Sequence, residues 1–245
     1  MGESQEILFG LLLPVVAFLY ASVGHGGASG YLALMALTGM AVPYMKPLAL
    51  ILNLCVAGVS FAQFARNNHF KTRLTFPFLI TSIPAAFAGG MIEIEDDIYK
   101  KVLAAVLILA VLRMLGIFGK GKENAAEPVI WMMLVTGALI GFVSGLIGIG
   151  GGIVLSPVIL LLGWGSMKQT AATSALFIWM NSAAGLAGNG IDGLDLPDST
   201  LYYAILATVG GMAGGYFGSI KFSNLMVIRT LALVLVMASV KLLLT

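Results

Sequence analysis

Polar residues along the 245-residue chain gather in short clusters and leave long apolar runs between them. Cutting at these clusters and at glycine breaks gives ten hydrophobic segments: 6–23, 30–42, 46–66, 74–92, 98–117, 128–147, 152–163, 168–188, 200–219 and 224–244. Runs such as Ile7 to Val23, Pro47 to Ala65 and Val129 to Ile147 approach the roughly 20 apolar residues that cross a bilayer as a helix. None alternates as a barrel strand would. The pattern predicts an all-α integral membrane protein. Segments 30–42 and 152–163 are short, reaching only about 20 Å against a hydrocarbon core near roughly 30 Å. Each reads as a re-entrant limb or as a crossing.

Composition points the same way. Hydrophobic residues make up 59% of the chain and charged ones 10%, and the mean hydropathy is +1.01, whereas soluble domains carry about 25% charge. The first segment follows Glu3 and Glu6 rather than a basic stretch, so it reads as a retained helix and not as a signal peptide. The one cysteine, Cys55, lies mid-segment and has no intrachain partner for a disulfide.

The net charge of +2 matters less than its distribution, because short cytoplasmic loops retain lysine and arginine. With the N-terminus outside, Arg66, Lys71, Arg73, Arg113, Lys120, Lys122, Lys168, Lys221 and Arg229 fall inside. Lys46, Lys100, Lys101 and Lys241 fall outside, nine against four. Both termini then face outward.

Residues 24–39, GHGGASGYLALMALTG, align at a constant offset with residues 148–163, GIGGGIVLSPVILLLG. Gly24 answers Gly148, Gly26 answers Gly150, Gly27 answers Gly151 and Gly39 answers Gly163. Farther on, Met45-Lys46 answers Met167-Lys168, Asn67 answers Asn189, and Ala88-Gly89-Gly90 answers Ala213-Gly214-Gly215. The linker Gly119 to Glu127 divides a first repeat, 1–118, from a second, 128–245. Five segments per half, an odd number, make the repeats inverted in topology, an arrangement found in secondary transporters.

In such transporters a helix stops in mid-membrane and its unpaired backbone groups line the substrate site. The runs Gly24-His25-Gly26-Gly27 and Gly148-Ile149-Gly150-Gly151-Gly152 are the candidate breaks. Helices starting after them, at about Ala28 and Ile153, would turn N-terminal N–H groups toward the break, which suits an anion. Close helix packing is the plainer account of any one glycine motif. The pairing of both runs with short segments favours the site.

His25, at membrane depth, is a candidate anion donor or proton carrier, or else a neutral imidazole bonded to a carbonyl freed by the break. Its repeat mate is Ile149. Ser29, Asn53, Thr173, Ser174 and Asn181 complete the candidate substrate contacts, since hydroxyls and amides bind oxyanion oxygens without a full charge. Lys46 and Lys168, on opposite faces, either attract anions at the two mouths or anchor helix ends. His69, Arg66, Lys71 and Arg73 read as a cytoplasmic loop. No catalytic group, metal, cofactor or nucleic-acid partner is assigned.

The stretches SGLIGIGGGIVLSPVILLLG (144–163) and AATSALFIWMNSAAG (171–185) resemble the TauE/SafE family of bacterial sulfite exporters, and the likeness extends over both halves. The resemblance implies a multi-pass protein of the bacterial inner membrane that exports small sulfur oxyanions such as sulfite, sulfonates or sulfoacetate. By motif it carries over to Gly148, Gly150, Gly151, Gly152, Pro157, Thr173 and Ser174. The first half departs from the pattern, with Gly-His-Gly-Gly-Ala-Ser in place of the glycine motif and Leu50 to Asn53 in place of the Thr-Ser pair.

The sequence also carries features of two other classes. The stretch GASG, Gly27 to Gly30, fits the pattern that carries a nucleophilic serine in rhomboid-type proteases, but that chemistry needs a histidine base on another helix, and only His25 and His69 exist. An anion channel, or a carrier of other small carboxylates, is the alternative. The expected partners are the small anionic substrate and membrane lipid. Proton or ion coupling through His25 and a homodimer are left open.

Overall fold

A computed structural model describes residues 2–114, 126–190, 196–220, 236 and 239–242. The described residues form helices α1 (Glu3–Ala21), α2 (Ala28–Thr38), α3 (Val42–Arg66), α4 (Thr72–Gly90), α5 (Asp96–Met114), α6 (Ile130–Ile147), α7 (Gly152–Leu161), α8 (Met167–Asn189) and α9 (Thr200–Ile220), with no strand among them. These follow the first nine predicted segments closely. Most of the linker and of the tenth segment lies outside the described residues.

Helices α1, α3 and α6 are long and apolar enough to cross a membrane. The two short segments are short helices, 11 residues in α2 and 10 in α7. The exterior is apolar: Leu201 is 73% exposed, Ile80 67% and Leu139 65%, while Asn53, Ser60, Ser82, Thr173, Ser174, Asn181 and Ser182 are wholly buried. Polar groups inside and large aliphatic groups outside are the reverse of a water-soluble domain and suit lipid as the surrounding solvent.

Lipid gives helices no hydrophobic reason to associate, so close van der Waals packing through small residues takes over. Two glycine stripes carry that packing here. On α6, a Cβ built at Gly137, Gly141 or Gly145 would meet the carbonyl oxygens of Phe78, Ser82 and Ala86 on α4. On α9, one at Gly210, Gly214 or Gly218 would meet those of Pro14 and Phe18 on α1 and of Ser22, its C-terminal cap. These backbone-to-backbone contacts make α4·α6 and α1·α9 the tightest pairs, with α3 and α8 packed between them and against each other.

Helices α3 and α8 run antiparallel. The end of α3 lies beside the end of α9, where Asn67 Nδ2 donates to Ser219 Oγ at 3.2 Å, and Lys168 at the start of α8 donates to the Ser219 carbonyl at 3.0 Å. At the other end of α3, Lys46 Nζ donates to the Gly90 carbonyl at 2.9 Å. Both lysines therefore sit at helix ends on opposite faces of the bundle, each neutralising the carbonyl-rich C-terminus of a neighbouring helix. These bonds fit the anchoring role.

Candidate functional site

The connection from α1 to α2 is built by glycine. Ser22 to Gly24 continue from α1 by turn-type bonds, and the chain then reverses through Gly27, which caps α2 with φ +99°. The connection from α6 to α7 repeats the device, ending on Gly151 as the cap of α7 with φ +77°. A side chain at such a φ is strained, so glycine is the residue that lets each short helix start in mid-bundle. A glycine cap also supplies no side-chain acceptor, and neither α2 nor α7 has one of its own.

The missing cap of α2 comes from α3. Asn53, near the middle of that helix, accepts the Ala28 N–H on Oδ1 at 3.0 Å and donates from Nδ2 to Ser182 Oγ of α8 at 3.2 Å. Both breaks press on this carboxamide. A Cβ at Gly26 would stand 2.6 Å from Asn53 Oδ1, and one at Gly150 would stand 2.6 Å from Asn53 Nδ2. The same two positions approach Cγ2 of Ile178, near the middle of α8, at 2.8 Å each. Gly152 packs on Ile178 as well, with Ser174 Cβ at 3.5 Å. The two glycine runs thus converge on one asparagine halfway along the long central pair.

His25 links the halves a second time. Its Nδ1 lies 3.0 Å from the Val23 carbonyl and its Nε2 lies 3.1 Å from Ser156 Oγ of α7, which in turn lies 2.8 Å from Ser174 Oγ of α8. A carbonyl only accepts, so Nδ1 carries the proton; in the neutral ring Nε2 accepts from Ser156, and Ser156 accepts from Ser174. The imidazole is therefore bonded to a carbonyl freed at the end of α1, and it also heads a hydroxyl relay into the second half.

The other candidate positions separate. Gly24 lies against Ala171 of α8 and Gly148 against the Lys46 backbone of α3. Ser29 Oγ donates to the Tyr20 hydroxyl of α1 at 2.8 Å, turned to a different partner from His25. Thr173 Oγ1 is paired with Thr75 Oγ1 of α4 at 2.9 Å. Asn181 is buried, donates to the Phe177 carbonyl of its own helix at 2.8 Å and leaves Oδ1 without a partner. Sequence reasoning missed Ser156. Its one signal was a hydroxyl in an otherwise apolar short helix just past a glycine run.

The arrangement offers neutral hydrogen-bond donors and two helix N-termini at the centre of an apolar bundle. The N–H groups of Ser29 and Gly30 in α2, and of Gly152 and Ile153 in α7, have no intrahelical acceptor by geometry, and the dipoles of both helices add positive potential there. Backbone N–H groups, amides and hydroxyls of this kind are the chemistry that suits acceptor oxygens of an anion.

The family model described as "Sulfite exporter TauE/SafE" matches residues 8–242. Among curated proteins, the chain is 37% identical over 97% of its length, and 97% of the relative's, to "Probable membrane transporter protein y4hK" of Sinorhizobium fredii. It is 27% identical over 74% of its length, and 73% of the relative's, to a probable membrane transporter protein of Methanocaldococcus jannaschii. No solved structure matches.

Proposed function

The chain belongs to the sulfite exporter TauE/SafE family of membrane transporters, and from that premise we propose that it is a secondary transporter exporting small sulfur oxyanions across the bacterial inner membrane. The family's description names sulfite, and sulfonates and sulfoacetate, which present the same sulfur-centred oxygens, complete the proposed cargo class. The observation that carries the reading is the convergence of both glycine breaks on Asn53. A carboxamide oxygen there already does what an anion oxygen would do, accepting the first N–H of α2. The bound oxyanion takes this place between the starts of α2 and α7, with Ser174 and His25 within the same cluster.

Two inverted halves, residues 1–118 and 128–245, alternate access by rocking about this point. Several symmetric features support that reading. The short helices start at the same offset after left-handed glycines, and the central helices of the two halves run antiparallel. Lys46 and Lys168 each reach the end of the fourth helix of their own half. The first helix of each half also packs on the fourth helix of the other.

The test is counterflow in proteoliposomes. Unlabelled sulfite or sulfoacetate trapped inside should drive saturable, transient accumulation of the labelled anion. Single-channel currents without counterflow would replace the carrier by a pore.

A further inference from the structure

The start of α2 holds one polar group that the fold does not use. Tyr31 is wholly buried, and its hydroxyl has no hydrogen-bond partner. A buried hydroxyl left in this state is a standing cost to the folded protein. Packing alone does not call for it either, since the equivalent position after the second glycine break is Leu155, an equally buried aliphatic residue.

The hydroxyl's location gives it a use. Tyr31 stands one turn into α2, its own N–H bonded to the Gly27 carbonyl at 2.9 Å. Long side chains in helices lean back toward the N-terminus, and this ring folds over the cap: a Cβ at Gly27 would stand 2.5 Å from both Cζ and the hydroxyl oxygen. The O–H therefore ends beside the left-handed cap, at the end of α2 whose Ser29 and Gly30 N–H groups have no intrahelical acceptor. Ala28 N–H, at the same end, is held by Asn53.

We propose that Tyr31 contacts the substrate: its O–H is kept for one oxygen of an oxyanion that docks at the start of α2 and displaces the Asn53 carboxamide oxygen from the Ala28 N–H. The inference rests on the oxyanion site of the preceding subsection. It adds a requirement, because the cargo needs two acceptor oxygens on one centre, one for the helix terminus and one for the phenol. Sulfite, a sulfonate head or a carboxylate meets it.

The experiment compares full-length wild type, Tyr31→Phe and Gly150→Val in detergent, by thermal-shift titration with sulfite, thiosulfate, sulfoacetate, taurine, sulfate and acetate. Tyr31→Phe removes only the unpartnered oxygen, so its ligand-free unfolding temperature should equal or exceed that of wild type. Its affinity for the stabilising anion should fall about tenfold or more, the loss expected for a hydrogen bond to a charged group. Unchanged affinity in Tyr31→Phe, with binding lost in Gly150→Val, overturns the role of Tyr31 and leaves the site standing. A wild type that responds to none of the anions, or a Gly150→Val variant that binds like wild type, overturns the site and the inference with it.

Discussion

Asn53 Oδ1 accepts the backbone N–H of Ala28 at 3.0 Å, so a side chain from the middle of one long helix caps another helix that begins inside the bundle. Replacing it with leucine keeps the volume and removes both its acceptor and the donor to Ser182. Asn53→Leu should lower stability by about 1–3 kcal/mol, the cost of leaving buried polar groups unpaired, and cut transport severalfold beyond any loss of protein. Flux per folded molecule, measured beside the unfolding temperature, checks this. Normal flux would remove Asn53 from the site.

The relay from His25 through Ser156 to Ser174 can carry a proton in either direction by reversing its hydrogen bonds. Glutamine at position 25 can still donate to the Val23 carbonyl and accept from Ser156, but cannot titrate. If protons couple through this residue, His25→Gln should transport with a flattened pH dependence. A variant whose pH profile overlays that of wild type would exclude His25 as the coupling group.

The glycine stripes are predicted to act on assembly rather than on cargo. A Cβ at Gly141 would stand 2.4 Å from the Ser82 carbonyl oxygen, and one at Gly214 would stand 2.1 Å from that of Phe18. Gly141→Ala and Gly214→Ala should each cost about 1–3 kcal/mol through overpacking, seen as a lower unfolding temperature. Anion affinity in the surviving folded protein should stay near wild type.

At the end of α3, His69 lies in the loop to α4. Burial holds its imidazole below the usual histidine value and the Lys168 ammonium adds to the effect, while a backbone hydrogen bond to Ser219 works the other way. The unfolded chain then binds that proton more readily than the folded one, so this contribution to stability is full at high pH. It is lost as pH falls through the ordinary histidine value of about 6.5 toward the depressed one. His69→Gln should therefore show a smaller drop in unfolding temperature than wild type between about pH 7 and about pH 5.5.

Much of this was legible in the chain because lipid imposes simple rules. Apolar runs mark helices, and glycines before runs too short to cross mark breaks, so α2, α7 and the positions of Gly27 and Gly151 could be read directly. Asn53 stood out as an amide in an apolar segment. The facing of each hydroxyl was not legible. Ser29 turns to Tyr20 and Thr173 turns to Thr75, and those choices depend on helices remote in sequence. Tyr31 and Ser156 were hidden for a related reason. A single hydroxyl in a short apolar helix has no pattern around it, and only the packing shows what it faces.

Gly150 and Gly39 together give the most direct test of the claim that an anion is held where the glycine breaks meet. Both have φ +74°, so a side chain strains the backbone at either position. A Cβ at Gly150 would stand 2.6 Å from Asn53 Nδ2 and 2.8 Å from Ile178, whereas one at Gly39 would meet nothing within 4 Å. The measurement is equilibrium binding of sulfite and sulfoacetate to purified wild type, Gly150→Ala and Gly39→Ala. The account predicts saturable binding to wild type and Gly39→Ala and its loss in Gly150→Ala. Equal binding by all three would contradict it.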